Sequence, residues 1–231
     1  RGADPLGPDN TLSFMLSATT GVPISGQSRC TATAKSPVSG LIGDSQAGGF
    51  WPAELKFAGF DGIVLTGKSP RPVYLWVHDG EAELRDAAHL WGRITGEAEA
   101  AIKQELSDPK IEVAQIGPAG ERQSRLACIL NMSNRAHGRT GLGAVMGSKN
   151  LKAIAVRGHG KVALADPKTV TKLARQAAGA VGDLEVFEND AQGFPETQDG
   201  DGEIVAPKPG PQGRDADDQA DEGGCDHPRQ Q

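Results

Sequence analysis

The sequence predicts an α+β fold rich in β-structure, followed by an acidic low-complexity tail. Three observations point there: short apolar runs broken by Gly, Pro, Ser and Thr over residues 11–60, a hairpin signature over 72–85, and only two stretches with helical recurrence of apolar residues. With 37% hydrophobic residues in 231, the chain can build a real core. The net charge of −6 is uneven, because residues 183–231 hold 14 Asp and Glu against 3 Lys and Arg, which leaves the body basic.

Residues 11–60 read as short strands and elaborate loops rather than helices. Asp61-Gly62 is a turn, with a strand expected over Ile63–Thr66. The β-favouring run Val73-Tyr74-Leu75-Trp76-Val77, then Asp79-Gly80, then Glu81 to Arg85 predicts a hairpin. Ile94, Ala98, Ile102 and Leu106 recur every four residues, so one helix belongs here, with Thr95 as its N-cap and Glu97 and Glu99 in its first turn. Strands are expected at Ile111–Ile116, Gln123–Leu130 and Leu151–Val156. A second helix starts with Asp166 as cap and Pro167 at its first position, and places Val170, Leu173, Ala174, Ala177 and Val181 on one face. From about residue 183 large hydrophobes are scarce. Burial there cannot offset ~1–2 kcal/mol per residue of ordering entropy, which predicts disorder.

The glycine-rich run 138–158 carries Arg139 and Lys149 and leads into a strand that ends at Arg157. Glycine lets backbone N–H groups approach phosphate closely, so the run reads either as a flexible, anion-binding loop for a phosphorylated cofactor or as a connection needing glycine for geometry alone. It is not a P-loop, because Ser148 precedes Lys149 and Asn150 follows. It is not a dinucleotide fingerprint either: Met146 holds the third small-residue position and a strand follows. Gly43-Asp44-Ser45-Gln46-Ala47 resembles a nucleophile elbow but ends in Ala.

Cys30, Cys128 and Cys225 form no Cys-x-x-Cys and are too dispersed for a zinc or iron–sulfur site; Cys128, in an apolar run, reads as a buried small hydrophobe. Their odd number favours a reducing, cytoplasmic compartment. No apolar segment approaches the ~20 residues a membrane helix needs. The body lacks the Lys/Arg runs and interleaved aromatics of a nucleic-acid surface.

Six blocks in one order carry a resemblance: 2-GADPLGPDN-10, 35-KSPVSG-40, Gly48-Gly49-Phe50, 54-ELKFAGFD-61, 116-IGPAGE-121 and the glycine run. Together they resemble the N-terminal domain of tungsten- or molybdenum-dependent aldehyde ferredoxin oxidoreductases. The resemblance implies a β-rich base, residues 1–165, of two antiparallel sheets related by a pseudo-twofold and lacking its first segment. A helix over 166–182 then leads to a missing domain, and the tail 183–231 resembles nothing in the family.

On that base a metal bis-pyranopterin is implied to lie, its two phosphates sharing a magnesium ion. A nearby 4Fe-4S cluster, whose ligands are absent from this chain, passes electrons to ferredoxin. The residues at matching places are Arg29, Gln46, Gly48, Arg135, Ala136 and Gly138, with Gln46 and Ala136 giving backbone carbonyls to magnesium. Arginine suits phosphate and pterin edges because its planar fork gives charge-assisted hydrogen bonds. Two departures stand out: Gln46 replaces the usual Asn, and Thr140 replaces the usual Gly, where a positive φ would be costly. His137 reads as a loop histidine packed against its neighbours. The implied reaction is oxidation of an aldehyde with water to a carboxylic acid, in a chain inactive without its missing domains or a companion chain, and with a homodimer possible. A noncatalytic truncated or frame-shifted fragment and a nucleotide-binding module are the alternatives.

Overall fold

A computed structural model describes residues 2–182. Among the described residues, ten strands form two sheets. The first has four strands in the order β3-β2-β1-β4, comprising β1 (Leu12–Leu16), β2 (Cys30–Lys35), β3 (Ile42–Ala47) and β4 (Gly62–Leu65), all antiparallel. Strict alternation of buried and outward residues along β2 and β3 puts Cys30, Ala32, Ala34, Ser45 and Ala47 inside. The second sheet has the order β6-β5-β10-β7-β8-β9, from β5 (Val73–His78), β6 (Glu81–Asp86), β7 (Glu112–Gln115), β8 (Ile129–Asn131), β9 (Arg135–His137) and β10 (Leu151–Arg157). It is mixed rather than antiparallel throughout, because β10 runs parallel to β5. Parallel neighbours cannot be joined by a tight hairpin, and here the chain passes through α2, β7, β8, β9 and α4 between β6 and β10.

The strand β10 explains the layering. Its Ile154 and Val156 face a core shared with Leu12 and Phe14 of the first sheet, whereas Ala153 and Ala155 face a second core with Tyr74, Trp76 and Ile102. Strand β10 is therefore buried on both faces and reads as a near-continuous apolar run. The second core is covered by α2 (Thr95–Glu105), which buries Ala98 and Ile102. Ile94 is the N-cap and Thr95 the first helical residue, one position from the expected cap.

A helix also stands where strands and loops were expected, α1 (Trp51–Phe57). Its signal is Pro52 in the first turn with Trp51 and Leu55 one turn apart; the indole Nε1–H donates to the Ile154 carbonyl at 2.9 Å. Seven residues were too few for a recurrence to show above the Gly/Pro background. The hairpin β5–β6 turns at Asp79 (φ 41°) and Gly80 (φ 87°), the expected left-handed pair. Of the strand expected over 123–130 only Ile129 and Leu130 lie in β8, since α3 (Pro118–Glu121) and left-handed Gln123 precede it. Leu126 is exposed there and Cys128 half-buried rather than buried.

A third of the glycine run is a helix, α4 (Leu142–Ser148), with every residue buried. Its glycines serve packing: a side chain at Gly147 would drive into the Gly120 carbonyl of α3. The last helix, α5 (Pro167–Gly182), starts as expected, with the Asp166 carboxylate accepting the Thr169 N–H at 3.0 Å. Leu173 on its apolar stripe is 53% exposed. No helix among the described residues is long and apolar enough to cross a membrane. The tail 183–231, with Cys225, lies outside the described residues.

Candidate functional site at the seam between two sheet edges

Strands β3 and β9 are edge strands of different sheets, and they meet side by side without forming a ladder. Side chains close the seam instead. His137 Nδ1–H donates to the Ser45 carbonyl at 2.8 Å, the Arg139 N–H to Ser45 Oγ at 3.2 Å and the Ser36 hydroxyl to the Thr140 carbonyl at 2.8 Å. At the other end Asn131 Nδ2 donates to the Gly48 carbonyl at 3.2 Å, and the Phe50 N–H reaches Met132 Sδ at 3.1 Å.

His137 belongs to β9 and is fully buried, edge-on to Phe14 with ring centroids 5.8 Å apart. A carbonyl can only accept, so Nδ1 carries the proton; Nε2 is buried with no partner among the described residues. Burial holds its pKa below the usual imidazole value and keeps the ring neutral. The expectation of a packed histidine holds, although in a strand rather than a loop.

Of the residues singled out in the sequence, Gln46, Ala136 and Gly138 share one cavity, whereas Arg29, Gly48 and Arg135 lie outside its lining, near the Gly48-Gly49 turn. Arg29 precedes β2, whose Cys30 pairs with Ala47, so the turn Gly48-Gly49 follows directly beside it; Ser28 Oγ–H donates to the Gly49 carbonyl. On the other flank, a side chain at Gly49 (φ 103°) would fall 3.2 Å from Arg135 Cγ and clash with Asn131 and Met132. Only glycine fits this position, and it brings the β9 hairpin against the turn. Gln46, Ala136 and Gly138 are exposed and, with Asp44, Ser45 and Arg139, line one open cavity of about 510 Å³. Arg29 and Arg135 are both exposed, and neither pairs with a carboxylate among the described residues.

Two cations of the glycine run are engaged elsewhere. Lys149 is buried and donates to the carbonyls of Pro8 (3.3 Å) and Gly67 (3.0 Å), where desolvation lowers its pKa. Arg157 is held by Glu54 at 3.0 Å and Asp108 at 2.9 Å. The reading of a flexible, anion-binding loop therefore narrows to its first residues, up to Arg139. Thr140 does adopt the left-handed conformation, φ 63°, which a β-branched residue resists. Cys30 is an inert core residue, its thiol pushed up to about 12 by burial. Asn131, Ser45 and Asp44 escaped the sequence reading. Asn131 acts through a tertiary hydrogen bond that leaves no local pattern, and Asp44 and Ser45 stood only in a rejected elbow motif.

Residues 1–158 match the N-terminal domain of aldehyde ferredoxin oxidoreductase. The chain belongs to the aldehyde ferredoxin oxidoreductase family. It is 46% identical over 173 residues to a tungsten-containing aldehyde ferredoxin oxidoreductase of Pyrococcus abyssi, covering 75% of this chain and 28% of that protein. A tungsten-containing aldehyde ferredoxin oxidoreductase of Thermococcus kodakarensis is 48% identical over 174 residues, covering 75% and 29%. Among solved structures, the active-site complex BamBC of benzoyl coenzyme A reductase with 1,5-dienoyl-CoA superposes with a TM-score of 0.76 at 39% identity over 78% of this chain and 28% of that one. The chain thus spans less than a third of the length of these relatives.

Proposed function

We propose that this chain is the base on which a tungsten or molybdenum bis-pyranopterin lies, in an oxidoreductase that converts an aldehyde and water to a carboxylic acid. The observation that carries the reading is the pair of uncommitted guanidinium groups, Arg29 and Arg135, flanking the Gly48-Gly49 turn beside an open cavity. An exposed arginine with no acidic partner, next to backbone that admits close approach, suits a phosphate or a pterin edge.

The donor set fits the group. Arg29 and Arg135 would hold phosphate, Gly48 and Gly138 would let it approach, and the carbonyls of Gln46 and Ala136 would suit a magnesium ion between two phosphates. No three His, Cys, Asp or Glu side chains converge on a metal-sized site among the described residues. The catalytic metal would accordingly be held by the pterin dithiolenes rather than by this chain. When bound, the metal–pterin group supplies the two-electron chemistry; the protein binds, orients and biases it electrostatically. Ferredoxin as acceptor, a 4Fe-4S cluster between it and the pterin, and the substrate pocket are assigned to the portions of the relatives that this chain does not cover, on the same or a companion polypeptide.

The test is to purify the chain together with those portions and measure metal by plasma mass spectrometry and pterin by fluorescence. Arg135→Ala should weaken cofactor retention by about 1.5–3 kcal/mol, the scale of a hydrogen bond to a charged group, or roughly ten- to a hundred-fold. Wild-type metal and pterin content in that variant would remove Arg135 from the site.

A further inference from the structure

We infer that Asp44 makes anion binding in the seam cavity conditional on a divalent cation. Asp44 lines the same cavity as Gln46, Ala136, Gly138 and Arg139. It shares the outward face of β3 with Gln46, two residues along, which sets their Cα atoms ~7 Å apart. No side chain among the described residues hydrogen-bonds to its carboxylate or forms an ion pair with it, Arg139 included. His137, on the facing strand, is buried and neutral and spends its Nδ1–H on the Ser45 carbonyl, so it offers Asp44 no counter-charge.

The cavity lining thus carries one cation, Arg139, and one carboxylate without a side-chain partner, Asp44. Phosphate entering beside it meets like charge, and the repulsion opposes binding. A magnesium ion between phosphate and carboxylate reverses the sign. Magnesium prefers oxygen ligands and keeps several waters, so Asp44 can act directly or through one of those waters. The inference rests on the reading of this cavity as the phosphate end of the proposed cofactor site, and it adds a residue and a thermodynamic coupling to that reading.

The coupling is measurable without metal–pterin or turnover. Inorganic pyrophosphate serves as a compact two-phosphate probe, titrated calorimetrically into the full chain at fixed ionic strength with and without magnesium. For the native chain, magnesium should raise pyrophosphate affinity about ten-fold or more, within the ordinary range of coupling between two sites. Asp44→Asn should shrink that gain to about three-fold or less and should tighten metal-free pyrophosphate binding, since the repulsion is gone. Glu97→Gln, an exposed carboxylate on α2, should change neither value. Binding by the native chain with an unaltered magnesium gain in Asp44→Asn would overturn the inference and leave the phosphate reading standing. No pyrophosphate binding under either condition would overturn both.

Discussion

Glu121→Gln tests how the fold supports α3 and α4, and its cost can be worked from the geometry. Lys152 Nζ lies 2.5 Å from Glu121 Oε1, with side-chain exposures of 0% and 5%. Its other partner is the Arg93 carbonyl at 2.9 Å, while Glu121 Oε2 accepts the Gly92 N–H at 2.8 Å. At an effective dielectric of ~20 such a pair gains about 6 kcal/mol of gross attraction, most of which offsets the desolvation of two ions. The amide of Glu121→Gln keeps the shape and an acceptor for Gly92 but leaves the ammonium buried with one neutral carbonyl. The expected loss is ~3–5 kcal/mol, a large share of the ~5–15 kcal/mol of a whole domain. The double variant Lys152→Met/Glu121→Leu removes both ions and should lie within ~2 kcal/mol of the native chain. Urea unfolding followed by tryptophan fluorescence and circular dichroism measures all three. An unchanged midpoint for Glu121→Gln, or a double variant as weak as the sum of its parts, would refute the argument.

Other outcomes are expected on the same assay. His137 has a folded pKa below the 6.5 of a free imidazole, so the unfolded chain takes up its proton first and stability should fall as pH drops below about 6.5, by at most ~1.4 kcal/mol per pH unit; His137→Gln should flatten that slope, and an unaltered acid limb would exclude His137 as its source. Burial raises the Glu112 carboxyl from 4.5 to about 7, and its Oε2 has no partner. Because the folded state then holds the extra proton, this contribution is present below pH 4.5 and lost as pH rises through 7. Glu112→Gln should therefore stabilise the chain at pH 8 by ~1–3 kcal/mol, discounted for partial exposure, and do little at pH 4; equal effects at both pH values would sink the assignment. Thr140→Gly should relieve a left-handed backbone costing ~1–2 kcal/mol against ~0.4–1 kcal/mol of added chain entropy, for a net gain of up to about 1 kcal/mol. A loss of more than 1 kcal/mol would mean that the Thr140 contacts matter more than its φ.

Elements with a strong local signature were legible in the sequence. The β5–β6 hairpin announced itself through Asp79-Gly80 between alternating apolar runs, and α5 through Asp166-Pro167. The first turn of α2 was off by one because Ile94 caps it with extended backbone and no side-chain bond. By contrast, α1 and α4 are too short for periodicity, and glycines that permit helix packing look the same in sequence as glycines that permit a flexible loop. At the candidate site, Arg29, Gly48 and Arg135 were proposed through blocks of resemblance rather than spacing. Their companions Asn131 and Ser45 were not, because a hydrogen bond to a distant carbonyl constrains neither neighbour in sequence. Lys149 misled for a similar reason: a buried ammonium satisfied by the Pro8 and Gly67 carbonyls reads, in one dimension, like a free cation.

The seam also dictates timing. Asn131 waits for Gly48 across 83 residues, His137 for Ser45 across 92 and Ser36 for Thr140 across 104, so none of these ties can form until the β8–β9 hairpin and Thr140 have themselves left the ribosome. Loop closures of that length come late in folding, after the local hairpins have already formed. A guest that needs both banks of the seam would have nothing to grip on a nascent or half-collapsed chain, and its delivery would fall to a finished, inspected protein.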